Sequence, residues 1–167
     1  MFWLTLAATI IFVAFNAISI RKFGMDTCFS SYGKLWGEAV PIKNMNLWSI
    51  VLGSVAFMLI PPVLVSADDN PLQFVGFLTP LYLLLVVFTP DYTKTKKIHI
   101  IHCIGAYMCA IGMLIWMIGI MHMWLPLVLF AIAFSIIGYC AKDLLYSSMY
   151  YGELTLFLSA FWCLLTY

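Results

Sequence analysis

Charge is scarce in this chain. Only 9% of its 167 residues are Asp, Glu, Lys or Arg, against about 25% in ordinary soluble domains. With 65% hydrophobic residues and a mean hydropathy of +1.05, it has too little polar surface to coat a globule in water, which excludes a soluble fold. The catalytic signatures are absent too: there is no Gly-rich phosphate loop, nucleophile elbow, HExxH or dinucleotide fingerprint. The longest polar segment, residues 21–46, is too short for a soluble catalytic domain. The reading therefore leans away from an enzyme and calls for no cofactor. A net charge of +1 supplies no global field to draw nucleic acid. The five cysteines, Cys28, Cys103, Cys109, Cys140 and Cys163, show no CxxC spacing and are odd in number. Four sit in apolar runs, where reduced, buried cysteine behaves as a small hydrophobe. No basic residue precedes the first apolar run and no A-x-A-like site follows it, so that run is expected to be kept as a span rather than cleaved.

What is present is a series of apolar runs of membrane-crossing length, since ~20 helical residues cross a ~30 Å hydrocarbon core. The expected fold is all-α: one polytopic integral membrane bundle of about six transmembrane helices over residues 1–167. The spans are expected at about 1–20, 47–66, 72–88, 98–120, 125–139 and 144–167. Pro61 and Pro62 lie near the end of the second, Pro80 is expected to kink the third, and Pro126 fits the first turn of the fifth. Residues 21–46, with Tyr32 and Trp36 among Lys34, Glu38 and Lys43, suit a headgroup layer and a short interfacial helix. Trp3, Trp36, Trp48, Tyr92, Trp124 and Tyr167 fall near span ends, as interfacial anchors do.

In a six-span arrangement the eight basic residues separate completely. Arg21, Lys22, Lys34 and Lys43 fall in the first loop, Lys94, Lys96 and Lys97 in the third, and Lys142 in the fifth; the second and fourth loops hold none. The positive-inside rule makes that side cytoplasmic. The expected location is thus the cell membrane, multi-pass, with loops 21–46, 89–97 and 140–143 cytoplasmic. Both termini and the Asp68-Asp69 turn then lie outside, on the periplasmic side.

Glu153 is the leading candidate for function. A last helix starting there would be ~22 Å long and could not cross, so the helix is expected to begin near Leu144 and carry Glu153 ~15 Å beyond the Asp143 turn. An ionisable group at such depth is costly and marks a cavity, a partner or a pathway; the plainer alternative is a Glu153 at an interfacial border, satisfied by water. Asn16 in the first span is a candidate hydrogen-bond partner. His99 and His102 share a helix face at the start of the fourth span. They are candidate pathway groups, or part of a basic cluster with Lys94, Lys96 and Lys97 that attracts anionic lipid headgroups. His122 lies ~30 Å from His102 along a helix, so no metal is assigned. Met113, Met117 and Met121 form a stripe that suits either copper(I) or ordinary packing. Gly105 and Gly119 are not spaced as GxxxG, so no dimer motif stands out.

The turn Ser66-Ala67-Asp68-Asp69-Asn70-Pro71, the polar loop after the third span and His102-Cys103-Ile104-Gly105-Ala106 together resemble the Frag1/DRAM-like six-span membrane proteins. The chain also looks like small polytopic membrane proteins of gut bacteria and their phages. The resemblance implies six helices and an association with lipids, and supplies no reaction. The long first cytoplasmic loop departs from it. Three function classes follow. The favoured one is a small transporter or channel-like protein using polar residues inside the bundle; the others are a membrane-embedded lipid-modifying enzyme and a structural or regulatory membrane subunit. The expected partners are membrane lipids, and a second copy or another membrane subunit is compatible.

Overall fold

The computed structural model describes residues 1–42, 45–143 and 145–167. Lys43 of the first loop and Leu144, the expected start of the last span, lie outside the described residues. Among those described, the chain forms seven α-helices: α1 (Phe2–Phe23), α2 (Ser31–Ala39), α3 (Leu47–Ser66), α4 (Gln73–Val87), α5 (Lys96–Leu114), α6 (Leu125–Ala141) and α7 (Ser148–Thr166). A two-residue antiparallel pair, β1 (Pro41–Ile42) with β2 (Met45–Asn46), precedes α3, and a π-helical turn, Ile115–Ile120, extends α5. Three helices are long and apolar enough to cross a membrane: Phe2–Phe23, Leu47–Ser66 and Lys96–Ile120. Gln73–Val87 and Leu125–Ala141 are apolar but shorter.

The helices begin and stop for local reasons. Asn46 caps α3 by accepting from the Trp48 N–H at 2.9 Å, and Thr95 caps α5 by accepting from the Ile98 N–H at 3.2 Å. Pro126 occupies the first turn of α6, where its missing N–H costs nothing. α3 runs through Pro61 and Pro62, and α4 through Pro80.

Packing runs α6–α7–α1–α3–α4–α5, with α5 returning to α7 only sparsely. Between apolar helices in lipid, close backbone approach and interhelical hydrogen bonds replace the hydrophobic drive. Both are present. A methyl at Gly112 of α5 would sit 2.2 Å from Thr79 Oγ1 of α4, and one at Gly105 would sit 2.9 Å from Leu85 Cβ. Trp116 Nε1 donates to Ser66 Oγ at 3.0 Å, tying the π turn to the end of α3. Phe12 joins α1 to α7 through Phe157 and Phe161, at centroid distances of 4.7 and 5.4 Å. Met113 and Met117 are both buried in this core, so these two members of the methionine stripe are packing residues.

Three expectations need correction. The segment after α1 contains the expected short helix, α2, but it does not lie free of the other helices: Cys28, Phe29, Tyr32 and Trp36 are all buried, so it packs back onto one end of the bundle as a plug. Its polar atoms find partners there, which removes the cost of insertion. Trp36 Nε1 donates to Ser19 Oγ at 2.8 Å, and the Tyr32 hydroxyl donates to the Gly24 carbonyl at 2.7 Å. Second, Trp36 and Trp48 are core residues, not interfacial anchors; Trp48 is fully buried and packs on Phe29 at 5.9 Å. Trp3, Trp124 and Tyr167 are exposed, as anchors would be.

The third correction concerns α7, which starts at Ser148. The Tyr150 N–H, free in a first helical turn, donates to the Thr27 carbonyl of the plug at 3.1 Å, while Ser147 N–H reaches Asp143 O at 2.8 Å. Glu153 is therefore ~7.5 Å beyond the start of its helix, not ~15 Å beyond the Asp143 turn. The 19-residue helix still spans ~28 Å, and Glu153 lies within it.

Candidate functional site: the Glu153 cleft

Glu153 is half-buried and lines a small cleft enclosing about 50 Å³. The floor comes from buried residues: Leu52 of α3, Leu83 and Val86 of α4, Cys109 and Met113 of α5, Phe157 of α7, and Phe29 and Ser30 of the plug. The half-buried lining residues are Ala106 and Ala110 of α5 and Glu153 and Leu156 of α7. The open side thus lies between α5 and α7, the two helices that touch sparsely.

Among the described residues the cleft is lined by no Lys, Arg or His. Glu153 Oε2 accepts a hydrogen bond from the backbone N–H of Phe29, a donor left free because α2 begins only at Ser31. A carboxyl among apolar side chains with one backbone donor and no cation has two ways to be neutral: it holds a proton, or it meets a cation brought from outside.

The other candidates stand apart from it. Asn16 accepts from the Tyr150 hydroxyl through Oδ1, and its Nδ2 is buried without a partner; it does not bond Glu153. The rings of Tyr150 and Tyr32 meet edge-on at 6.0 Å. Burial, with Asp26 nearby, pushes the Tyr32 hydroxyl up to about 12. His102 is buried against the loop before α5. Its Nδ1 lies 3.1 Å from the Thr89 carbonyl and 3.0 Å from the Thr89 hydroxyl. Tyr92 stacks on His102 at 4.5 Å, and its hydroxyl lies 3.5 Å from Cys28 Sγ. Burial first, then the Cys28 contact, hold that hydroxyl well above the usual tyrosine range. His99 is exposed, beside Cys103 Sγ at 3.6 Å. The structure therefore brings Glu153 alone of the four to the cleft and joins His99 and His102 through Tyr92. No three His, Cys, Asp or Glu converge as a metal site among the described residues.

No family model, curated protein or solved structure matches this chain.

Sequence reasoning missed Phe29, Ser30, Cys109 and the α5 alanines as partners of Glu153. The apolar rows of α5 were visible, but nothing in residues 21–46 signalled that Phe29 would cross to a helix 124 positions away.

Lys94, Lys96 and Lys97 are exposed at the start of α5. If they hold anionic headgroups, each contributes about 1 kcal/mol near the surface. Replacing all three with Gln should then lower the anionic lipid that copurifies with the protein; an unchanged lipid content in that triple variant would leave the lysines an anchoring role only.

Proposed function

We infer that this chain is a small proton transporter of the cell membrane, with Glu153 as the group that loads and releases the proton. The observation carrying this reading is the placement of Glu153: one carboxyl, with no cation beside it among the described residues, in a mostly apolar cleft between two helices. A structural glutamate would be expected to pair with Lys, Arg or several donors. Titratable groups near it are Tyr150 on its own helix, Tyr92 in the loop before α5, and Cys109 of α5, with Cys28 and Asp26 of the plug on the far side of Tyr92's contacts. None of these is a cation that would hold the carboxylate permanently charged.

This reading adds the shorter α4 and α6 and the 19-residue α7 to the three helices long and apolar enough to cross, α4 needing its flanking Leu72 and Phe88 to complete a span, with the plug on the cytoplasmic side and both termini outside. Two features support it: the one-sided distribution of Lys and Arg, and the resemblance to Frag1/DRAM-like proteins. In a Cys-less background, cysteines placed at Asp69 and Tyr167 should react with an impermeant thiol reagent added outside intact cells, and one at Lys96 should not. The reverse pattern would sink the orientation.

The function itself is tested in vesicles containing a pH-sensitive dye. After an external pH jump, the wild-type protein should speed internal acidification, and Glu153→Gln, which keeps an acceptor for the Phe29 N–H, should return it to the rate of empty vesicles. Equal rates for the two proteins would refute the role of Glu153.

A further inference from the structure

The chemistry of the cleft narrows what it would take. An inorganic cation such as Mg²⁺ demands about six oxygen ligands, whereas among the described residues the oxygen-bearing side chains in the lining are those of Glu153 and Ser30. A phospholipid headgroup brings a phosphate, and the described lining has no Lys, Arg or His to receive one. The rest of the wall, from Leu52 and Leu83 to Cys109, Met113 and Phe157, is apolar and suited to hydrocarbon. Size adds a limit: since one water needs roughly 10–15 Å³ of such space, the enclosed 50 Å³ admits a head and a few linear atoms. The less buried part of the lining is Ala106 and Ala110 of α5, with short side chains, and Leu156 of α7.

We propose that the Glu153 cleft binds an unbranched primary alkylammonium ion, its head on the carboxylate and its chain passing out between α5 and α7. This rests on the reading of Glu153 as the loading group, and gives that group its second partner: proton and ammonium compete for one carboxylate, so either can be exchanged for the other. The ammonium replaces the missing cation, and the alkyl chain lies against Ala106, Ala110 and Leu156 without leaving an apolar environment. Bulky quaternary ions are excluded because their heads exceed the enclosed space.

The experiment is calorimetric titration of the purified full-length protein in detergent with n-hexylammonium, 1-hexanol, tetrapropylammonium and sodium chlorides or neutral equivalents, each corrected for protein-free micelles. Hexylammonium should bind saturably, at least tenfold tighter to wild type than to Glu153→Gln, and more weakly as pH falls. Hexanol, tetrapropylammonium and sodium should show no saturable heat. Glu153→Asp, which keeps the charge on a shorter arm, should retain part of the affinity, and circular dichroism of each variant verifies folding. Equal hexylammonium affinity in wild type and Glu153→Gln, or saturable binding of hexanol or tetrapropylammonium, would overturn the proposal. Glu153-dependent proton flux without amine binding would remove the amine and keep the proton reading. Amine binding without flux would support the site and remove transport.

Discussion

Glu153→Lys should prevent the chain from assembling. An ammonium in place of the carboxylate would face Phe29, Cys109, Met113 and Phe157 across the cleft, with no carboxylate in the lining to receive it. On the six-span reading, Lys in α7 also carries an insertion cost, at most about 2.5–3.5 kcal/mol at a helix centre and less near the start where Glu153 lies. The substitution also strips the Phe29 N–H of its acceptor, and a buried donor left unmade costs about 1–3 kcal/mol more. Together these approach the whole stability of many proteins, about 5–15 kcal/mol. Glu153→Gln, which retains a carbonyl for Phe29, should fall within about 1.5 kcal/mol of wild type. Yield after detergent extraction and monodispersity on gel filtration read the difference. A monodisperse Glu153→Lys protein at wild-type yield would place this side chain in water or headgroups instead of the cleft.

Gly33→Ala should loosen the plug. A methyl on Gly33 would lie 2.5 Å from the Pro90 carbonyl oxygen and 3.1 Å from two further Pro90 backbone atoms. Backbone cannot rotate away as a flexible side chain would, so the plug and the loop before α5 must separate, at about 1–3 kcal/mol. The Gly33 carbonyl also receives the Asn46 side chain, and Asn46 caps α3, so movement here reaches a second helix. The accessible readout is Cys28, buried and in contact with Tyr92. Its thiol should react with a maleimide several-fold faster in Gly33→Ala than in wild type, with a lowered Tm. Gly152→Ala is the control, because a methyl there meets nothing within 4 Å and should change stability by no more than about 0.5 kcal/mol. If both alanines behave alike, the close approach of Gly33 to Pro90 is wrong.

These residues also show where sequence was informative. The apolar runs and their punctuation by Arg21, Asp68, Lys96 and Lys142 were legible because each run's hydropathy is a local property. The argument that a helix starting at Glu153 is too short located Glu153 inside its helix, although the helix begins at Ser148 rather than at Leu144. What was illegible depends on contacts distant in sequence. Tyr32, Trp36 and Trp48 have the amphipathic composition of interfacial anchors, and only the partners Ser19, Gly24 and Phe29 convert them into core. Asn16 was matched to Glu153 on polarity alone, but Tyr150, three residues earlier on α7, reaches it instead. His99 and His102 could be placed on one face by spacing, and the stacking of Tyr92 between them and Cys28 arises from the plug.

Whether Glu153 exchanges its proton in the cleft is tested most directly by infrared difference spectroscopy on the protein in lipid vesicles, titrated with pH and referenced to Glu153→Gln. A reversible carbonyl band of a protonated carboxyl, present in wild type, absent in Glu153→Gln and displaced by n-hexylammonium at constant pH, is the predicted result. A wild-type spectrum identical to that of Glu153→Gln across the titration would contradict the account.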